Sequence, residues 1–127
     1  MINITHLLLA SLGGMLGSAM RYVISMMMNT KTVTASVIPW GTFSVNVIGA
    51  FIIGLIFGYS THHEHFEQHW RVFLATGICG GFTTFSALSN ESYLLLKEQQ
   101  YVSFLLYIAL SLVLGILATA LGYFITK

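Results

Sequence analysis

Residues 77–91 read GICGGFTTFSALSNE. Three glycines, two threonines, two serines, an asparagine and a glutamate sit there between flanks that are almost wholly apolar. Whether this segment is a loop or the middle of a membrane span decides the fold. Composition answers first. Of the 127 residues, 56% are hydrophobic and 7% charged, and the mean hydropathy is +0.82. A soluble domain carries about a quarter of its residues as Asp, Glu, Lys and Arg, so these few charges cannot cover a surface in water. The sequence predicts an all-α, multi-pass membrane protein of a bacterial-type inner membrane.

Working outward, a helix needs about 20 mostly apolar residues to cross the hydrocarbon. Four stretches qualify, over about 4–28, 40–59, 71–96 and 101–125, and together they predict one four-helix domain over residues 1–127. Residues 29–39, NTKTVTASVIP, form a polar connection closed by the only proline; the wettest piece, STHHEHFEQHW, joins the second and third spans. MINITHLLLASLGG at the N-terminus lacks the positive lead of a secretory signal and reads as mature sequence. Four spans put both termini on one side, with Arg71 and Lys127; the other side carries Lys31, Lys97 and Arg21, snorkelling from the end of the first helix. Two against three is no bias, and orientation needs a clear Lys/Arg excess on one side. The sequence therefore predicts insertion both ways round and pairing with an inverted copy. Small residues in the first, second and fourth spans, among them Gly13, Gly17, Gly49, Gly54, Gly115 and Gly122, are expected to pack helices together. A net charge of +1 without a basic run gives no footprint for nucleic acid, and the single cysteine, Cys79, excludes an intramolecular disulfide and reads as a small buried residue.

The segment 77–91 thus falls inside the third span. Helix breaks at membrane depth are tolerated only where the backbone is buried in protein or lines a watery cavity. Gly80-Gly81 followed by Thr83-Thr84 reads either as such a break, whose freed carbonyls can bind a hard monovalent cation, or as a kink patched by Thr and Ser hydroxyls bonding back to the helix. Asn46, in GTFSVNVIGAFIIG of the second span, is costly in a membrane unless paired and marks function. Tyr107, Ser111, Gly115 and Thr119 recur at i+4 on the fourth span. Asn46, Thr83, Thr84, Ser86, Tyr107 and Ser111 together make a track of neutral N–H and O–H donors, suited to a small hydrated anion that must be stripped of water and still released.

GGFTTFS, PWGTFSVNVIGAFIIG and GGMLGSAMRY together resemble the small fluoride channels of the Fluc (CrcB) family, through all four spans. The resemblance implies an antiparallel, dual-topology homodimer with two pores that passively exports fluoride. It implies a structural sodium ion at the dimer centre on the backbone carbonyls of Gly80 and Thr83, and matches the pore asparagine to Asn46 and the arginine ending the first span to Arg21. Phe85 corresponds to the first aromatic of a phenylalanine box, where its positive ring edge can meet fluoride; Ser86, Tyr107 and Ser111 correspond to the hydroxyl track, and Thr84 beside them is a further pore candidate. Two positions depart from the family pattern: Leu88 stands where a second box phenylalanine is usual, and Gly115 where a track serine is common. Leu88 keeps open a second arrangement, one subunit of a heterodimeric channel.

Other residues have plainer readings. The loop imidazoles His62, His63, His65 and His69 are a conceivable metal or pH site but read first as surface polarity. Glu91 either faces a vestibule or reaches the headgroups, and Arg21 either draws anions to a pore mouth or anchors its helix. Trp40 and Trp70 fit interfacial belts. A small multidrug-resistance transporter needs a buried carboxylate, usually in the first span, which has no Asp or Glu. A poreless accessory subunit predicts scattered polar residues, whereas these cluster at one depth. No nucleophile–base pair supports an enzyme.

Overall fold

The computed structural model describes residues 1–29, 38–64 and 66–127; Lys31 and His65 lie outside them. The described chain is helical throughout, with four segments long and apolar enough to cross a membrane. α1 runs Ile4–Asn29 and α2 Trp40–His62. The third span opens with α3, Gln68–Arg71, continues as a π-helix over Val72–Cys79 and ends its first half with α4, Gly80–Phe82; its second half is α5, Phe85–Lys97. α6 spans Tyr101–Thr126. The helices outrun the hydropathy limits by a few residues because polar ends continue the hydrogen-bond ladder: His62 closes α2 and Gln68 opens α3. Pro39, which has no N–H to lose, sits just before α2 and accepts from Phe43 N–H at 3.0 Å.

Packing follows two parallel pairs. α1 lies along the first half of the third span, where Gly13 and Gly17 meet the backbone of residues 73–82 and Gly81 meets Gly14. A Cβ on Gly77 would stand 2.8 Å from Gly13 Cα, and one on Gly81 2.9 Å from Gly14 Cα. α2 lies along α6: a Cβ on Gly54 would stand 3.0 Å from Tyr123 N, one on Gly122 2.9 Å from Leu55 N. Threonines lock this second seam, Thr119 Oγ1 donating to Ala50 O at 3.0 Å and Thr126 Oγ1 to Leu55 O at 2.8 Å. In lipid no hydrophobic force holds helices together, so close backbone approach and such cross-helix bonds carry the association. Gly115 departs from the expected packing set: among the described residues, nothing beyond its own stretch of helix lies within 4 Å of where its Cβ would be.

The glycine pair also departs from its expected role. Gly80 keeps α-helical dihedrals (φ −63°, ψ −38°) and Gly81 lies within α4. Gly81 is there to let α1 approach, not to interrupt the helix. Two residues further on, Thr83 (φ −83°, ψ 154°) and Thr84 (φ −148°, ψ 117°) are extended, and the span breaks there. β-branched residues accept extended backbone readily.

Candidate functional site

An extended pair of residues inside a membrane span exposes N–H and C=O groups that lipid cannot satisfy. Side chains from two other helices take them up. Asn46 on α2 accepts the Thr84 N–H on Oδ1 at 2.7 Å and donates Nδ2 to the Thr84 carbonyl at 3.2 Å. One amide thus pairs both backbone groups of the residue, as a neighbouring β-strand would. Arg21 on α1 donates Nε to Gly81 O at 3.1 Å. It is therefore turned inward onto the broken span, about two turns before α1 ends, rather than snorkelling to a surface. The threonines help themselves: Thr83 returns its N–H (3.0 Å) and hydroxyl (2.8 Å) to Cys79 O. Thr84 caps α5, its Oγ1 accepting from Ala87 N–H at 3.1 Å and lying 3.2 Å from Ser86 Oγ. The break and the back-bonding offered by the sequence as alternatives occur together.

A cavity of about 370 Å³ opens beside the break, between α2, the third span and α6. It brings together Asn46, Gly80, Thr83, Thr84, Phe85, Leu88 and Ser111 from the residues singled out in the sequence. Phe85 stands at its edge with 81% of its surface exposed. Ser111 Oγ is buried with no hydrogen-bond partner among the described residues. Ser86, Tyr107 and Arg21 do not line the cavity. Two helix ends flank it with opposite polarity: the run 68–82 ends in carbonyls, a partial negative charge, and α5 begins in N–H groups, a partial positive one.

Tyr107 belongs instead to a second cluster. Its hydroxyl donates to Glu91 Oε2 at 2.6 Å, while Thr42 Oγ1 donates to Glu91 Oε1 at 2.7 Å. Both hydroxyl residues are buried, at 0% and 3% exposure, so the carboxylate is held in the protein and not in the headgroups. Sequence reasoning passed over Thr42; the available signal was its i, i+4 spacing from Asn46, which puts both on one face of α2. In the polar loop, His63 stacks on Tyr59 with ring centroids 3.9 Å apart and its Nδ1 lies 3.0 Å from Tyr59 O. No group of three or more His, Cys, Asp or Glu that could hold a metal occurs among the described residues.

Residues 8–123 match the family described as CrcB-like protein, Camphor Resistance (CrcB). Among the relatives named "Fluoride-specific ion channel FluC" are three from different genera. The one from Phocaeicola vulgatus is 46% identical, covering 95% of this chain and 98% of its own. That from Flavobacterium psychrophilum is 44% identical, over 92% and 93%. That from Helicobacter acinonychis is 41% identical, over 93% and 92%.

Proposed function

The chain belongs to the CrcB-like family, and from that premise we propose that it is a fluoride-selective channel, not an enzyme, whose ion path passes the cavity beside the Thr83–Thr84 break. The observation that carries the placement is the convergence there of Asn46, Phe85 and the unpartnered Ser111 hydroxyl. Every donor facing the cavity is neutral. A full positive charge would trap a small anion, while amide, hydroxyl and ring-edge dipoles bind it strongly enough to replace water and weakly enough to release it. Arg21 keeps its charge but does not line the cavity; its Nε is turned to the Gly81 carbonyl. The N-terminal end of α5 adds a partial positive charge. Leu88, on the cavity wall, offers no polarised ring edge, so Phe85 supplies the aromatic contribution alone. Flow is passive and, with fluoride higher inside, outward, which lowers cytoplasmic fluoride.

The proposed cation is sodium, which the carbonyls of Gly80 and Thr83 would hold. Gly80 and Thr83 line the cavity at the carbonyl end of the run 68–82, and backbone carbonyls at the negative end of a broken helix suit a hard monovalent ion. Its contribution when bound is a fixed positive charge at the centre of an antiparallel homodimer.

Liposomes containing only the purified chain test the reading. Fluoride efflux, read with a fluoride electrode, is expected without chloride efflux, and to fall at least about tenfold in Asn46→Ala and Phe85→Ile while both variants remain assembled. Full flux in both variants removes the path from this cavity. A folded wild type with no flux transfers the reading to a heterodimer lacking its second subunit, with Leu88 the first position to exchange.

A further inference from the structure

The proposed channel makes no use of an imidazole pair at the far end of the seam between α1 and the third span. His6, in the first turn of α1, and His69, in α3, have ring centroids 5.0 Å apart with planes at 71°. His6 is half-buried and His69 exposed. Both stand at the water-facing end of their helices, on the side of the polar loop. We propose that His6 and His69 form a binding site for a divalent transition-metal ion of the zinc class, bridging α1 to the third span.

The geometry suits such an ion. Zinc binds imidazole nitrogen at about 2.1 Å in a tetrahedral arrangement, and two rings so held have centroids about 5 Å apart. Neutral imidazole is a preferred ligand for zinc, copper and nickel, whereas magnesium and calcium want oxygen. The backbone fixes the two helix starts that carry the rings before any metal arrives. Asn3 caps α1, its Oδ1 accepting from Thr5 N–H at 2.9 Å and from His6 N–H at 3.4 Å. Glu67 O accepts from Trp70 and Arg71 N–H at 3.0 and 3.3 Å, fixing the turn that carries His69. About two turns deeper, the Gly13–Gly77 contact fixes the spacing of the helices themselves. A site whose backbone is already positioned has only the two rings left to turn on binding. Two protein nitrogens leave the remaining coordination positions to water, so binding is reversible, and protons compete for both rings.

The test uses the full chain in detergent after chelator treatment, titrated with Zn2+ and followed by calorimetry and by thermal unfolding. Zn2+ is expected to raise the melting temperature in a concentration-dependent way. The rise is expected to persist when the loop imidazoles are replaced together (His62→Gln, His63→Gln, His65→Gln), and to vanish in His6→Gln and in His69→Gln alike. The melting temperature of each variant without metal reports its folding. No rise in the wild type overturns the site. So does a rise that survives either single replacement, or one that the loop replacements abolish, which would place the ligands in the loop. None of these readings depends on fluoride flux, so the two proposals fail separately.

Discussion

Glu91 carries the only acidic side chain that the described spans hold by buried partners, and both its oxygens are taken by hydroxyls, at 2.7 Å from Thr42 and 2.6 Å from Tyr107. Both bonds are at the short end of the range for O–H donors, and a buried donor deprived of its partner costs about 1–3 kcal/mol. Glu91→Ala strands two buried hydroxyls, so it is expected to lose about 2–6 kcal/mol of stability. Glu91→Gln keeps one acceptor oxygen, and either hydroxyl can rotate to accept from the amide, so its loss should be much smaller. Thermal unfolding of the three proteins in one detergent checks the order. If Gln and Ala are equally damaging, it is the charge and not the hydrogen bonding that holds this cluster. Asn46 shows the same economy from the other side, one amide serving two backbone groups of Thr84. Its proposed part in the ion path rests on the remaining amide proton, and its truncation should disturb the break as well as the path.

Among the helices, the glycines divide into those that another backbone needs and those it does not. Gly81→Ala would drive a methyl into the Gly14 backbone of α1, an overpacking that typically costs about 1–3 kcal/mol, and it would part the helices that Arg21 joins. Gly115→Ala meets nothing beyond its own stretch of helix among the described residues and should gain up to about 1 kcal/mol in helix propensity. Melting temperatures should move in opposite directions; a loss at Gly115 instead would mark that face of α6 as covered by a second copy. The turn between α5 and α6 offers a further check. Gln99 lies at φ 60°, with its N–H on Leu96 O at 3.0 Å and Gln100 N–H on Leu95 O at 2.8 Å, the bonding of a Schellman ending whose left-handed residue is ordinarily glycine. Gln99→Gly should therefore stabilise the chain by about 1 kcal/mol, read as a higher melting temperature with unchanged flux. These elements also show where the sequence was legible. Hydropathy located the four spans because apolar length is a local property. Of the run Gly80-Gly81 and Thr83-Thr84 that reads as a break, only the threonines are extended; glycine is a local breaker, whereas what pairs the extended backbone of Thr84 is Asn46, on another helix. Thr42 was missed for the same reason, its partner being supplied by a different span. The neighbourhood of His6 and His69 follows only once α1 and the third span are known to run parallel.

One copy of the molecule leaves its cavity unfinished. Phe85 stands 81% exposed at the edge and Ser111 Oγ has no partner among the described residues, and a path for a dehydrated anion must be walled on every side. The proposed second wall is an inverted copy. Charge supports that arrangement more firmly with Arg21 turned inward to Gly81, because the sequence then divides evenly, Arg71 and Lys127 on one side and Lys31 and Lys97 on the other. Orientation set by Lys/Arg excess is thus left undecided, and a few added charges should decide it. Lysines appended at both termini are expected to force every copy into one orientation. Lysines placed instead beside Lys97, between α5 and α6, should force the opposite one. Each variant alone should then lose fluoride efflux from cells, since no inverted partner forms, while the two expressed together should restore it. Efflux retained by a singly oriented variant would rule out antiparallel assembly, and a parallel oligomer would have to complete the wall. Failure of the pair to rescue, with both proteins inserted and folded, would mean that the added charges and not the orientation had closed the path, which uncharged insertions of the same length would reveal.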